Sequence, residues 1–146
     1  MFYYPIFLDL RAKPVLVIGG GRVALRKIKG LLEAQARVTV ISPAILDELR
    51  ALPIKILERV YQLGDSVGHA LIFATTDNRT VNAQIASDAA ALGIPANIVD
   101  SPEECGLIVP ARFTGSDVQV AVSTGGIDPR RAVAIRNRIK QMLAQV

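Results

Sequence analysis

The sequence predicts an α/β fold: a doubly wound parallel sheet, then a small β-rich segment and a C-terminal helix. Three observations carry this. Short β-branched apolar runs alternate with amphipathic stretches of helical period up to Val99. The first of those runs breaks into the glycines Gly19, Gly20 and Gly21 and then into a helix. From Leu107 onward the apolar runs lie too close together for helical crossovers, so hairpins are expected there.

Lys13-Pro14-Val15-Leu16-Val17-Ile18 reads as a strand buried on both faces. From Val23 the pattern turns helical, with Ala24, Ile28, Leu31 and Leu32 on one face and Arg22, Arg26, Lys27 and Lys29 mostly on the other. Arg37 to Ile41 is the second strand. Ser42-Pro43 is expected to cap a short helix carrying Ile45, Leu46 and Leu49. Ile54 to Glu58 is a weaker third strand and Leu71 to Thr75 a fourth. Asn78 to Leu92 is a helix stopped by Gly93, with Asp77 as its expected N-cap, and Pro95 to Val99 is a fifth strand. Leu107-Ile108-Val109, Ala111-Arg112-Phe113 and Val118 to Val122 are further strands around a turn at Gly115-Ser116-Asp117. Pro129 to Val146 is a basic helix with Val133, Ile135, Ile139, Met142 and Leu143 roughly on one side.

Composition narrows the function. A chain of 146 residues is one domain, or one plus a small appendage, at roughly 150 residues per domain. Apolar residues make up 51% and charged ones 21%, which excludes disorder. One cysteine, Cys105, excludes a disulfide scaffold, and with a single histidine, His69, it excludes a zinc cage of His and Cys; no metal site is expected. Both read as structural residues. Mean hydropathy is +0.36, yet no apolar run approaches the ~18 residues of a membrane span. The apolar opening around Phe2 to Leu8 lacks the basic start and cleavage site of a signal peptide. A cytoplasmic protein with no membrane partner is expected. The net charge of +4 admits a polyanionic partner. Few aromatics and no tryptophan disfavour a nucleic-acid stacking platform.

Gly19-Gly20-Gly21-Arg22-Val23-Ala24 fits the G-x-G-x-x-A dinucleotide fingerprint in the right context, between strand and helix. Gly19 permits the turn, Gly21 lets a pyrophosphate reach the backbone, and Ala24 lets helix and strand pack closely. The helix N-terminus offers free N–H groups and partial positive charge. Gly19, Gly20, Gly21, Arg22 and Val23 are therefore candidate cofactor contacts. So are Ser42 and Pro43 after the second strand, and Thr75 and Thr76 after the fourth. Ser42 stands where an acidic residue usually meets the ribose, so it can bind a hydroxyl without repelling a 2′-phosphate.

Six segments in order carry a resemblance: Pro5 to Leu10; Val17 to Lys27; Val38 to Pro43; Ala74-Thr75-Thr76-Asp77 with Val81-Asn82; Asn97-Ile98-Val99-Asp100; and Ala121-Val122-Ser123-Thr124-Gly125-Gly126-Ile127-Asp128-Pro129. Together they resemble the precorrin-2 dehydrogenase family, the dehydrogenase and ferrochelatase part of siroheme synthase. The resemblance implies a Rossmann-like domain, a β-rich dimerisation segment and usually a helical domain. It implies oxidation of precorrin-2 to sirohydrochlorin with NAD as hydride acceptor, and in many members ferrous iron insertion. On this basis residues 1–112 form the NAD-binding domain and residues 113–146 the dimerisation segment plus a shortened helix. The partners it implies are a tetrapyrrole substrate and a second copy of the chain, and not nucleic acid.

The resemblance also places the family's important aspartate at Asp100, the catalytic candidate. The position alone puts Asp100 at the carboxyl edge of the sheet. There it could take a proton, hold a pyrrole N–H or a metal, or serve only as a turn residue. Asn97, Ser123, Thr124, Gly125 and Arg130 are candidate substrate contacts: hydroxyls and a permissive backbone before a helix can cradle a carboxylate. Arg130, Arg131, Arg136, Arg138 and Lys140 would add cations for a polycarboxylate. Asp128 replaces the serine usual in the family and adds negative charge there. The length leaves no room for the family's helical domain, which weakens the case for iron insertion more than that for NAD. Two other readings share the glycine turn. One is a nucleotide-sensing regulatory module, compatible with Gly64-Asp65. The other is a family member that binds NAD or tetrapyrrole without turnover.

Overall fold

The computed structural model describes residues 3–144. They form two compact units, residues 6–107 and residues 108–144 with 3–5. The first holds β1 (Pro14–Ile18), α1 (Arg22–Glu33), β2 (Arg37–Ile41), α2 (Asp47–Arg50), β3 (Lys55–Leu57), β4 (Leu71–Ala74), α3 (Arg79–Leu92), β5 (Ala96–Ile98) and a 3₁₀ turn (Pro102–Glu104). The second holds β6 (Ala111–Thr114), β7 (Gln119–Val122) and α4 (Pro129–Leu143). The sequence-predicted helix ran to Val146, whose last two residues lie outside the described ones, as do Met1 and Phe2 of the apolar opening.

The five strands are all parallel in the order β3-β2-β1-β4-β5. This is the Rossmann-like doubly wound sheet. Central β1 is covered on both faces, which explains its unbroken apolar run. Val15 and Val17 face α1, packing with Ala24, Ile28 and Leu31. Leu16 and Ile18 face the other way, with Ile85 and Ala89 of α3. From β1 the chain builds outward through β2 and β3, then returns to the other side of β1 as β4. The crevice beyond the carboxyl ends of β1 and β4 is the topological switch point, where ligands bind in such sheets.

Several local expectations are corrected. Ser42-Pro43 does not cap a helix. The Ser42 N–H extends the sheet to the Leu57 carbonyl at 3.2 Å, and the Leu46 N–H is held by the Gly20 carbonyl at 3.0 Å. Residues 42–46 therefore stay non-helical, and α2 starts only at Asp47, after Leu46. The N-cap of α3 is Asn78, not Asp77: its Oδ1 accepts from the Val81 N–H at 3.1 Å. Leu107-Ile108-Val109 is not a strand. The Gly106 and Leu107 N–H groups both turn to the Ala96 carbonyl instead of a ladder.

In the second unit β6 and β7 form the expected antiparallel hairpin, Ala111 opposite Val122 and Thr114 opposite Gln119. Of the apolar residues read as lying roughly on one side of α4, Ile139 is the half-buried one. Ala132 is buried, Arg136 and Ile139 are half-buried, and Arg136 Nη1 donates to the Arg112 carbonyl at 2.7 Å. Val133, Ile135, Met142 and Leu143 are exposed. No helix among the described residues is long and apolar enough to cross a membrane.

Candidate functional site

A cleft of about 610 Å³ opens at the carboxyl ends of β1, β2 and β4. It is lined by Gly19, Gly20, Gly21, Arg22, Val23, Ser42, Pro43, Thr75 and Thr76, the nine positions read from the sequence as cofactor contacts. The structure also adds Ala44, Ile45, Val60, Tyr61, Asn78 and Val81 to its wall.

The three glycines differ in what demands them. Gly19 has φ +119°, and a Cβ there would lie 2.4 Å from Thr75 Oγ1 and 2.9 Å from the Thr75 backbone. A Cβ on Gly20 would lie 2.1 Å from the Ala44 carbonyl, so the loop after β2 packs on bare backbone. A Cβ on Gly21 would meet nothing within 4 Å. Nothing in the fold fills the space above Gly21, and that residue is the N-cap of α1 with no side chain to offer the helix. The first N–H groups of α1 therefore lack intrahelical acceptors and stand at the cleft. Open space over a helix N-terminus fits a diphosphate.

The rest of the wall is rigidly held. Thr75 Oγ1 donates to the Ile18 carbonyl at 2.8 Å. Thr76 Oγ1 donates to Asn82 Oδ1 at 2.6 Å, and Asn82 Nδ2 returns to the Thr76 carbonyl at 2.9 Å. Asn82 is fully buried, so this pair fixes the loop after β4. Ser42 Oγ donates to the Ala44 carbonyl at 2.8 Å, leaving its lone pairs to accept. Arg22 lies 3.7 Å from Glu48 of α2 across exposed surface.

Tyr61 was not anticipated. Its hydroxyl donates to Asp88 of α3 at 2.7 Å and meets Ser66 Oγ at 2.8 Å. Burial is the main cause that pushes the phenol up to about 12; the Ser66 contact opposes this and Asp88 adds to it. Its loop is braced by a two-bond Arg59–Asp65 pair at 2.8 Å, which holds the Asp65 carboxyl below the usual range. His69, at the end of this loop, is half-buried and its Nδ1 has no partner among the described residues.

Asp100 lies just past β5. Its Oδ1 accepts from Arg79 Nη1 at 2.8 Å, and Arg79 Nη2 also pairs with Glu104. The Glu104 contact is the largest cause that raises the Arg79 guanidinium, with Asp100 adding to it. Cys105 packs below: its thiol accepts from the Ile98 N–H and reaches the Ile98 carbonyl, both at 3.2 Å. Asn97 is buried and donates to the Leu107 carbonyl at 3.1 Å; it is not part of the cleft wall. Among the described residues no three His, Cys, Asp or Glu side chains gather as a metal site.

Ser123, Thr124, Gly125 and Arg130 belong to the second unit. Ser123 Oγ accepts from the Gly125 N–H, and Thr124 Oγ1 both donates to and accepts from the Asp128 backbone. Asp128 caps α4 by accepting from the Arg131 N–H at 2.9 Å. Arg130, Arg131, Arg138 and Lys140 are exposed along that helix.

Residues 6–111 match the protein family described as "Putative NAD(P)-binding". The chain belongs to this family. The cleft over Gly21 lies within the matched residues. Siroheme synthase of Methylococcus capsulatus is 49% identical over 145 residues, and that of Thioalkalivibrio sulfidiphilus 42% over 147. The matches cover 96% and 98% of this chain and 30% of each relative, so this NAD(P)-binding chain spans about a third of their length. Among solved structures, SirC, a precorrin-2 dehydrogenase, matches with a TM-score of 0.75 and 27% identity. That match covers 98% of this chain and 70% of SirC. The resemblance read from the sequence thus holds across nearly the whole chain.

Proposed function

We propose that this chain catalyses the NAD-dependent dehydrogenation of precorrin-2 to sirohydrochlorin, a step of siroheme synthesis. The observation that carries the reading is the open space over Gly21 at the N-terminus of α1, in a fold shared over 98% of the chain with a precorrin-2 dehydrogenase. When bound, NAD⁺ supplies the hydride acceptor. The free N–H groups of Arg22 and Val23 hold its diphosphate. Ser42 accepts from a ribose hydroxyl, and Pro43 and the hydroxyl-bearing edge of Thr75 and Thr76 confine the dinucleotide. Losing a hydride from the macrocycle must be matched by losing a proton, and Asp100 is the carboxylate that takes it. Ser123, Thr124, Gly125 and Arg130 meet substrate carboxylates in the second unit, whose exposed cations on α4 suit a polycarboxylate. Asn97 supports Asp100 through the loop it anchors.

Residues 1–112 act in this reading as the NAD-binding domain, and residues 113–146 as the dimerisation segment. Ile135 and Met142, seven positions apart and so on one side of α4, are exposed apolar residues that suit a second copy of the chain. Sedimentation of a dimer at micromolar protein supports that assignment and a monomer rejects it.

The activity is tested by anaerobic incubation with precorrin-2 and NAD⁺. NADH should rise together with sirohydrochlorin absorption. Absence of both, with NADH binding intact, rejects the dehydrogenase reading and leaves a nucleotide-binding module.

A further inference from the structure

Arg79 is the first residue of α3, directly after Thr76, Asp77 and Asn78 of the cleft wall. Its guanidinium serves two carboxylates at once, Asp100 through Nη1 at 2.8 Å and Glu104 through Nη2. On Asp100 only Oδ1 is engaged. Oδ2 has no hydrogen-bond donor among the described residues, and the side chain keeps 32% of its surface exposed. One oxygen is tethered and the other is available.

The turn that carries both carboxylates does not depend on Arg79 for its shape. The Ser101 N–H bonds the Ile98 carbonyl at 3.3 Å, the Glu104 N–H bonds the Ser101 carbonyl at 3.1 Å, and the Cys105 N–H bonds the Pro102 carbonyl at 3.3 Å. Cys105 Sγ ties the same turn to Ile98 from below. What remains for Arg79 to fix is the direction of the two side chains. A planar guanidinium does this well, because its donors leave in fixed directions and its charge does not titrate.

We infer that Arg79 is a positioning residue for Asp100: it links the start of α3, where the cofactor cleft ends, to the carboxylate that takes the proton. The inference rests on the proposed role of Asp100. Tethering Oδ1 fixes the rotamer and presents Oδ2, so the loss of Arg79 falls on turnover and not on cofactor affinity.

The test uses the 146-residue chain with precorrin-2 and NAD⁺ under anaerobic conditions. Four variants are compared: Arg79→Gln, Arg79→Lys, Asp100→Asn and the double variant Arg79→Gln/Asp100→Asn. Arg79→Gln should lower kcat about tenfold or more while KM for NAD⁺ and the Kd for NADH stay within about twofold. Arg79→Lys should return kcat to within about threefold, because a cation still reaches Oδ1. The double variant should be no slower than Asp100→Asn, since the two residues act through one carboxylate. If Asp100→Asn is inactive but Arg79→Gln keeps kcat within about threefold, Arg79 only decorates the turn and the inference falls alone. If Asp100→Asn itself keeps full turnover, the role of Asp100 falls and takes the inference with it. An Arg79→Gln chain that fails to fold, or loses NADH binding in step with kcat, places Arg79 in the framework and also overturns it.

Discussion

Thr75 Oγ1 donates to the Ile18 carbonyl at 2.8 Å, joining the end of β4 to the end of β1 directly below Gly19. The same hydroxyl occupies the space that a side chain at Gly19 would need, 2.4 Å from the ideal Cβ. Gly19→Ala therefore meets two penalties, a φ of +119° and a clash with the Thr75 backbone at 2.9 Å. Backbone strain of this kind costs about 1–3 kcal/mol. The expected outcome is a lower midpoint in urea unfolding at unchanged m-value.

Gly21→Ala separates binding from folding. A Cβ there meets no atom within 4 Å and needs no unusual φ, so the fold should tolerate it. Stability should stay within about 0.5 kcal/mol of the parent. The methyl group would instead stand where the diphosphate approaches the α1 N-terminus. NADH titration by fluorescence should show affinity weakened by about tenfold, equivalent to about 1.4 kcal/mol. Unchanged affinity would move the diphosphate away from this turn.

The glycine turn was legible because its spacing, set between an apolar strand and an amphipathic helix, is a local pattern. The reason for Gly20 was not legible, since the Ala44 carbonyl that crowds it comes from a loop expected to be helical. The elements of the sheet were legible because strands buried on both faces carry unbroken apolar runs. Residues acting over distance were not. Tyr61 meets Asp88 across 27 positions and Arg79 meets Asp100 across 21, and neither spacing leaves a local pattern. Asp77 and Asn78 are both capping residues side by side, and only the direction of the chain after Thr76 selects Asn78.

Tyr61 makes a prediction about alkaline stability. Its folded pKa is raised from 10 to about 12, chiefly by burial, so the folded state keeps a proton that the unfolded chain gives up. Stability from this group is complete below pH 10 and is lost as pH rises toward 12. Tyr61→Phe keeps the ring against the cleft and removes that dependence. It also strands the fully buried Ser66 hydroxyl, at a cost of about 1–3 kcal/mol at neutral pH. In denaturant unfolding from pH 8 to 12, parent and variant should start apart and converge as pH rises. A constant difference would show that the phenol titrates alike in both states.

Asn82 tests how far the α3 helix supports the cleft from behind. It is fully buried, accepts from Thr76 Oγ1 at 2.6 Å and donates to the Thr76 carbonyl at 2.9 Å. Asn82→Ala removes both of these bonds to a cleft residue without touching the cleft surface. The half-buried Thr76 carbonyl then loses its donor and the buried amide leaves a cavity, at a cost of about 1–3 kcal/mol. Thr76→Val keeps the Asn82 amide on the carbonyl but strands the buried Asn82 Oδ1; it loses one bond of the pair where Asn82→Ala loses both and also opens a cavity, so it should cost less. If Thr76 contacts the cofactor through its hydroxyl, Thr76→Val should weaken NADH binding more than it weakens the fold. If the pair only braces the loop, Asn82→Ala should be the more damaging change in both measurements. Paired NADH titrations and thermal melts of the two variants distinguish these outcomes, because only direct contact reverses the order between them.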